Sequence, residues 1–232
     1  MAEQIPQRGH SPSPGHPAAR EPVRPREIVR YTANERTNHW LIVIGFLLAG
    51  LSGLALYHPT MAWLHGLFGG GPWTRTLHPF FGVFMFIVFA LFAWGMRRSN
   101  RIDANDRQWL RQIDDVAAGR EERLPEVGRY NAGQKLLYWS LVVCMIGLLL
   151  TGIVMWQPWF TDAFPITLVR LASVLHAILA TVIICMIIFH AYSAFWVRGS
   201  MAAMLRGRVT RGWAWKHHRA WLRDLDRDAA RK

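Results

Sequence analysis

The longest apolar stretch of the chain, Ile166–Val197, has the sequence ITLVRLASVLHAILATVIICMIIFHAYSAFWV and contains one charged residue, Arg170. It also carries two histidines, His176 and His190, which are 14 residues apart. In an α-helix, 14 residues bring a side chain back to within roughly 40° of its first direction and span roughly 21 Å, most of the roughly 30 Å hydrocarbon layer of a bilayer. The stretch therefore predicts a transmembrane helix whose two imidazoles point the same way, at a spacing that suits two stacked haems.

The composition places the whole chain among integral membrane proteins. Hydrophobic residues make up 52% of its 232 positions, with 12 Trp and 12 Phe. The net charge of +12 could indicate a nucleic-acid partner, but the basic residues flank apolar spans and no nucleic-acid-binding motif is present. We therefore attribute the charge to membrane orientation and lipid contact.

Four apolar spans predict an all-α integral membrane fold, a bundle of four transmembrane helices in one membrane domain. The predicted spans are His39–Tyr57, His78–Met96, Leu136–Trp156 and Ile166–Val197. Residues 1–26 hold six of the chain's twelve prolines and predict a disordered N-terminal segment. The membrane domain then occupies residues 27–203, and a basic cytoplasmic tail occupies residues 204–232.

The distribution of Lys and Arg predicts the orientation. Six precede the first span, nine lie in residues 97–135 and ten in residues 198–232, which leaves only Arg75 and Arg170 for the other side. Both termini are therefore expected in the cytoplasm. The loop at residues 97–135 also carries seven acids, and we expect it to be partly helical. The tail tryptophans, which we expect at the inner lipid surface, are Trp213, Trp215 and Trp221.

The two cysteines, Cys144 and Cys185, both lie within apolar spans. Free cysteines in such positions are usually small buried apolar residues, so the sequence supports neither a disulfide framework nor an iron–sulfur site. No C-x-x-C-H motif occurs. Any haem must therefore be held by side-chain ligation alone, as in b-type cytochromes.

Four histidines fall into two pairs of matching depth. His39 begins the first span and His190 lies well over halfway through the fourth, so both belong to an inner layer. His78 begins the second span and His176 lies about ten residues into the fourth, so both belong to an outer layer. A single intramembrane histidine is often a hydrogen-bonding residue between helices. Two matched pairs instead favour bis-histidine ligation of two haem b irons. The six histidines without a predicted ligand role are His10, His16, His58, His65, His217 and His218.

Gly50 and Gly53 could make room for a macrocycle. They lie within roughly 20° and 40° of the His39 face, one haem layer further out. Close packing of helices without any cofactor is the alternative, because small residues serve it in membranes. The small residues of the third span that fit this alternative equally well are Ser140, Cys144, Gly147 and Thr151.

Several longer motifs extend over residues 27–223. They are HW at residues 39–40, LHPFFG at 77–82, VGRYNAGQK at 127–135, LHA at 175–177, His190, AFWVRGS at 194–200 and KHH at 216–218. With these motifs the chain resembles the gamma, or cytochrome b, subunit of bacterial membrane-bound formate dehydrogenases. The resemblance implies a diheme cytochrome in which His78 and His176 hold the outer haem and His39 and His190 the inner haem.

The same resemblance implies the location, the partners and the reaction, and the protein is expected to be a multi-pass protein of a bacterial inner membrane. It implies an iron–sulfur beta subunit, a periplasmic molybdenum or tungsten alpha subunit that oxidises formate, and electron transfer through this chain to menaquinone or ubiquinone. No catalytic residue for formate is expected here. A cytochrome b subunit of a nickel–iron hydrogenase is the nearest alternative, and a haem-free helical anchor or transporter is the alternative from another class.

We place the quinone site at Asn131, Gly133 and Gln134, where the loop enters the third span level with His190. Asn131 and Gln134 also match a capping box, which would explain both residues as the start of a helix. The two roles are compatible because amide groups and backbone N–H groups at a helix start can donate to a quinone carbonyl. The family resemblance favours a quinone site here over a capping role alone.

Overall fold

The computed structural model describes residues 26–120 and 123–231. The predicted disordered segment at residues 1–26 lies, except for its last residue, outside the described residues. In chain order the strands and α-helices are β1 (Glu27–Val29), α1 (Ala33–Tyr57), α2 (Gly71–Met96), α3 (Ala104–Arg111), α4 (Ile113–Ala117), α5 (Ala132–Met155), α6 (Ile166–Trp196), α7 (Ser200–Arg206), β2 (Arg208–Thr210), α8 (Arg211–His217) and α9 (Arg219–Ala230). The 3-10 helices Pro59–Phe68 and Thr161–Ala163 follow α1 and α5.

The four predicted spans are confirmed as α1, α2, α5 and α6, the helices within the described ranges that are long and apolar enough to cross a membrane. The main difference is the start of α2. It begins at Gly71 with a proline in its first turn, so His78 lies seven residues inside the helix and not at its first residue. Helix α1 begins earlier than predicted because Thr32 and Glu35 form a capping box at its N-terminus.

The spans form two hairpins. Helix α1 packs along α2, and α5 packs along α6. A glycine brings the helices of each hairpin together: a Cβ atom on Gly45 would lie 3.2 Å from Cβ of Met85, and one on Gly147 would lie 2.6 Å from Cδ1 of Leu179. Close helix packing therefore explains Gly147, as the alternative interpretation stated.

Buried side chains of α2, α5 and α6 join the two hairpins. Helices α1 and α6, by contrast, approach each other at few positions. The interface of α6 with α1 and α2 is called the cleft below. The buried core residues are Met85, Phe89, Ala93, Cys144, Met145 and Ile183.

The segment between α2 and α5 is partly helical, as predicted, and is anchored by charge. Nζ of Lys135, near the start of α5, lies 2.6 Å from Oδ2 of Asp106 in α3, and both side chains are 8% exposed. Asp103 caps α3 and also approaches Lys135, at 3.4 Å. These ion pairs hold the segment against the end of the bundle where α1 begins and α6 ends, which we call the tail end. The opposite end is the loop end.

A two-stranded antiparallel sheet at the tail end departs from the all-α prediction. Strand β1 precedes the first span and β2 follows the last, and Ile28 pairs with Val209. The sheet continues in a hydrogen bond of 2.8 Å from the Arg30 N–H to the Gly207 carbonyl. Gly207 has φ of 77°, and a Cβ atom there would lie 2.6 Å from the Tyr31 carbonyl oxygen, so only glycine suits this turn.

The tail helices enclose Arg30, which is 3% exposed. Its guanidinium lies 4.6 Å from the ring centroid of Trp221 and 5.7 Å from that of Trp213, and it bonds to the Arg129 carbonyl. Trp213 and Trp221 therefore pack on this arginine through cation–π contacts that the sequence did not predict, whereas Trp215 is exposed. The contact of the tail with lipid stays a prediction.

Candidate functional site

The first predicted pair meets at the tail end of the cleft. The rings of His39, in α1, and His190, in α6, have centroids 6.4 Å apart and planes at 53°. Each histidine comes from a different hairpin, His39 six residues after the first residue of α1 and His190 six residues before the last of α6. The pair therefore spans the cleft close to one end of the bundle.

The second predicted pair meets at the loop end. The centroids of His78, in α2, and His176, in α6, are 6.3 Å apart, with planes at 76°. The structure thus brings all four histidines together in the two combinations that their depth in the sequence predicted.

Both separations fit a metal ion between the rings. A metal–imidazole bond is about 2 Å long and the nitrogen lies about 1 Å from its ring centroid, so two imidazoles on opposite sides of one iron have centroids about 6 Å apart. The observed 6.4 and 6.3 Å match this value. A Cβ atom built on Gly50 would have no neighbour within 4 Å, so the role of this glycine beside a macrocycle stays a prediction. The residues present therefore suit two haems with bis-histidine ligation.

The two histidines of the loop-end pair also touch small polar residues that the sequence analysis did not connect with them. Ser52 Oγ lies 2.9 Å from Nδ1 of His78, and Thr151 Oγ1 lies 2.8 Å from Nδ1 of His176. A glycine follows each hydroxyl residue. In the sequence, the only sign of this similarity is that a hydroxyl residue precedes a glycine in both places, as Ser52-Gly53 and as Thr151-Gly152.

Gly53 has a more specific position than the sequence predicted. A Cβ atom there would lie 3.1 Å from Cε1 of His78, and one on Gly152 would lie 3.5 Å from Cε1 of His176. Gly53 therefore borders an imidazole ring directly, whereas the sequence analysis placed it beside the macrocycle. Gly53 thus lets the His78 ring lie close to α1, and Gly152 lies beside the His176 ring on α5.

Comparison with known proteins agrees with this geometry. The family model of the prokaryotic cytochrome b561 proteins matches residues 30–207. This chain belongs to that family. The cytochrome b556 subunit of the nitrate-inducible formate dehydrogenase of Escherichia coli K12 is 40% identical over 205 residues, which cover 88% of this chain and 94% of the relative.

Two further relatives carry the same kind of name. The cytochrome b556(fdo) subunit of Escherichia coli formate dehydrogenase is 39% identical over 88% of this chain and 96% of the relative. The formate dehydrogenase cytochrome b556 subunit of Haemophilus influenzae is 38% identical over 85% of this chain and 83% of the relative. The resemblance that the sequence motifs indicated is therefore confirmed. The chain is a membrane cytochrome b of electron transfer, and its family implies haem b.

The three residues predicted for quinone lie together at the tail end of this cytochrome. The Asn131 side chain accepts from the Gln134 N–H at 2.8 Å, and the Gln134 side chain accepts from the Asn131 N–H at 3.0 Å, so the capping box is present. A Cβ atom on Gly133 would lie 3.4 Å from the Trp109 ring, which gives this glycine a packing role as well. A cavity of about 200 Å³ borders Asn131. Its acidic lining residues are Asp103, Asp106, Glu126 and Asp224.

The described histidines outside the two pairs have structural contacts. Nδ1 of His58 lies 2.8 Å from Oγ1 of Thr60, and Nδ1 of His65 lies 3.0 Å from Oγ1 of Thr74. His218 is 4% exposed and lies against Arg30. The sequence analysis gave these histidines no ligand role, but it did not foresee that His218 is buried.

Proposed function

We propose that this chain is the diheme membrane subunit of a formate dehydrogenase, and that it carries electrons from an iron–sulfur subunit outside the membrane to quinone near the inner surface. The relatives are subunits of formate dehydrogenases, which supports formate dehydrogenase rather than hydrogenase. The observation that carries the diheme assignment is the presence of two histidine pairs with nearly equal ring separations at two depths of one cleft.

Each pair has a defined task in this proposal. His78 and His176 hold the outer haem b, and His39 and His190 hold the inner one. When bound, the two haems accept and release single electrons. The 14 residues between His176 and His190 place the two ligand pairs roughly 21 Å apart along α6, so together they cover most of the hydrocarbon layer.

The orientation in this proposal follows from charge. The tail end faces the cytoplasm because all Lys and Arg residues except Arg75 and Arg170 lie before α1, between α2 and α5, after α6, or, as Arg36 and Lys135, in the first turn of α1 or α5 at the tail end. Arg75 and Arg170 lie in the first turns of α2 and α6, at the loop end. The loop end then faces the periplasm, where the iron–sulfur subunit and the molybdenum or tungsten subunit would bind.

The quinone site that we propose lies at the start of α5. Because the side-chain oxygens of Asn131 and Gln134 serve the capping box, their amide N–H groups are left to donate to a quinone carbonyl. Within the described residues, neither amide nitrogen donates to a protein group. Quinone reduction consumes protons, and the cavity beside Asn131 lies at the tail end, the side from which this proposal takes them.

The haem content of purified protein tests the diheme assignment. We expect the dithionite-reduced spectrum of low-spin haem b and two haems per chain. His78→Ala and His39→Ala should each remove one haem and retain the other, whereas His58→Ala, which alters an exposed histidine of the loop end, should retain both. Two haems with an unchanged spectrum in His78→Ala would reject the outer pair.

The partner complex needs a separate experiment. Gentle solubilisation and affinity purification should recover the iron–sulfur and molybdenum or tungsten subunits, and formate should then reduce both haems. Recovery of a nickel–iron subunit, with reduction by hydrogen, would support the hydrogenase alternative.

A further inference from the structure

The two histidines at the loop end have matching environments on different helices. His78 approaches Ser52 of α1, and His176 approaches Thr151 of α5. Ser52 is fully buried and Thr151 is 7% exposed. In each case the hydroxyl faces Nδ1, which is the ring nitrogen that would not be the iron ligand if Nε2 binds the metal.

The hydroxyl protons are already used by the backbone. Ser52 Oγ lies 2.6 Å from the Leu48 carbonyl oxygen, and Thr151 Oγ1 lies 2.7 Å from the Gly147 carbonyl oxygen. A carbonyl can only accept, so each hydroxyl donates its single proton there. The hydroxyl oxygen must then accept from the imidazole.

This arrangement fixes the tautomer of both rings. Nδ1 of His78 and of His176 carries the proton and donates to the hydroxyl, and Nε2 keeps its lone pair for a metal. The chain of bonds runs from imidazole N–H to hydroxyl to backbone carbonyl. Gly53 completes the site at His78, because a Cβ atom there would press on Cε1 of the ring, whereas a Cβ atom on Gly152 would be in ordinary contact with His176.

The tail-end pair lacks these bonds. Nδ1 of His39 is buried and has no hydrogen-bond partner among the described residues. Nor does the described part of the chain offer a hydroxyl in hydrogen-bonding distance of a His190 ring nitrogen. The two pairs therefore share their ring separation but differ in what holds the second nitrogen.

We infer that Ser52 and Thr151 are positioning residues that lower the reduction potential of the outer haem relative to the inner one. The inference rests on the proposed bis-histidine haem sites. An imidazole that donates its second N–H becomes a more basic ligand, and a more basic ligand favours ferric over ferrous iron. With two such ligands at the loop end and none among the described residues at the tail end, the difference in potential favours electron transfer from the outer haem to the inner haem.

A redox titration of the purified protein, followed at the reduced haem b band, tests this. In the native protein we expect two one-electron components, and the component lost in His78→Ala should be the one of lower potential. Thr151→Val keeps the shape of the side chain and removes the hydroxyl. It should raise the reduction potential of that component by about 30 mV, which for one electron lowers the ferric-to-ferrous ratio at a fixed potential about threefold. Ser52→Ala should shift the same component in the same direction.

Two controls separate this role from simple packing. Thr151→Ser keeps a hydroxyl at this position and should therefore keep the native reduction potential of the outer haem. Thr181→Val removes a hydroxyl of α6 whose described bond, at 2.9 Å, is to the Ala177 carbonyl, and it should leave both components unchanged.

The outcomes distinguish this inference from the proposed function. Two bound haems with unmoved potentials in both Thr151→Val and Ser52→Ala would overturn the inference and leave the diheme assignment intact. An outer component of higher potential than the inner one in the native protein would overturn it as well. Failure of the proposed function would show instead as a native protein without two haems.

Discussion

Arg30 lies 3.3 Å from His218, measured from Nη2 to Nε2, although 188 positions separate the two residues. A guanidinium can only donate, so Nε2 of His218 accepts, and its Nδ1–H donates to the Gly128 carbonyl at 2.8 Å. The contact thus requires a neutral histidine. It joins the segment before α1, the segment before α5 and the tail.

Acid should weaken the docking of the tail. Burial first and the charge of Arg30 second lower the pKa of His218 to about 3, from an ordinary value of 6.5. Between these values the undocked histidine binds a proton that the docked one rejects, so this contribution to stability is complete above about pH 6.5 and is lost as the pH falls toward 3. Hydrogen exchange of the Arg30 amide, corrected for its intrinsic pH dependence, should show less protection at pH 5 than at pH 7.

The variant His218→Gln provides the control for this pH dependence. It removes the titrating group, so protection of the same amide should not vary with pH over this range. Equal protection of the native protein at pH 5 and pH 7 would show that His218 does not couple protonation to the docking of the tail.

Gly53→Val should abolish binding of the outer haem. The substituted side chain begins 3.1 Å from Cε1 of His78 and would push the ring from its position. Haem content should fall from two to one per chain while the inner haem keeps its spectrum. Gly95→Ala is the matched control, because a Cβ atom there meets nothing within 4 Å. Full haem content in Gly53→Val would mean that the ring position is not required for binding.

Asp106→Asn should destabilise the tail end. It removes the buried partner at 2.6 Å and leaves the Lys135 ammonium only the exposed Asp103 carboxylate at 3.4 Å, and removing one member of a buried ion pair typically costs about 3–5 kcal/mol. The double variant Asp106→Asn with Lys135→Met should recover much of this loss because no buried charge remains. Thermal unfolding monitored by haem release measures both effects, and equal melting of the native protein and the single variant would contradict the prediction.

Asn131→Ser separates helix capping from quinone binding. Serine keeps a side-chain oxygen for the Gln134 N–H but lacks the amide donor. Both haems should stay bound and reducible, and their reoxidation by added quinone should slow several-fold. Asn131→Ala should lose the cap as well and about 1 kcal/mol of helix stability. Native reoxidation rates in Asn131→Ser would leave Asn131 with the capping role alone.

Turnover should be electrogenic if electrons enter at the loop end and quinone takes protons from the tail end. Each elementary charge moved across the whole bilayer exchanges about 2.3 kcal/mol per 100 mV with the membrane potential. Vesicles containing the complex and a voltage-sensitive dye should respond when formate and quinone are added. Electroneutral turnover would place the quinone site on the wrong side of the proposed arrangement.

The sequence predicted the bundle and the histidine pairs well because both depend on simple periodicity. Apolar length identifies a transmembrane helix, and the 14-residue step between His176 and His190 places both rings on one face. Family resemblance paired these rings with His39 and His78 in the same way. Residues far apart in the sequence could be paired here because the position of a residue along a transmembrane helix gives its depth in the membrane.

The contacts that escaped prediction join residues far apart without a common depth signal. Thr151 looked like an ordinary small residue for helix packing, because nothing in a single sequence shows that its rotamer meets His176. Gly133 likewise packs on Trp109 of a helix that lies outside the spans. Arg30 could not be recognised as buried, since its neighbours come from three separate segments of the chain.

The pairing of β1 with β2 also constrains membrane insertion. One strand precedes every span and the other follows every span, so the two can meet only when the chain has crossed the bilayer an even number of times. A chain that failed to insert one helix would leave its two strands in different compartments. Such a chain would expose unpaired strand edges and the aromatic surroundings of Arg30, so the sheet can form only in a chain whose first and last segments lie on the same side of the membrane.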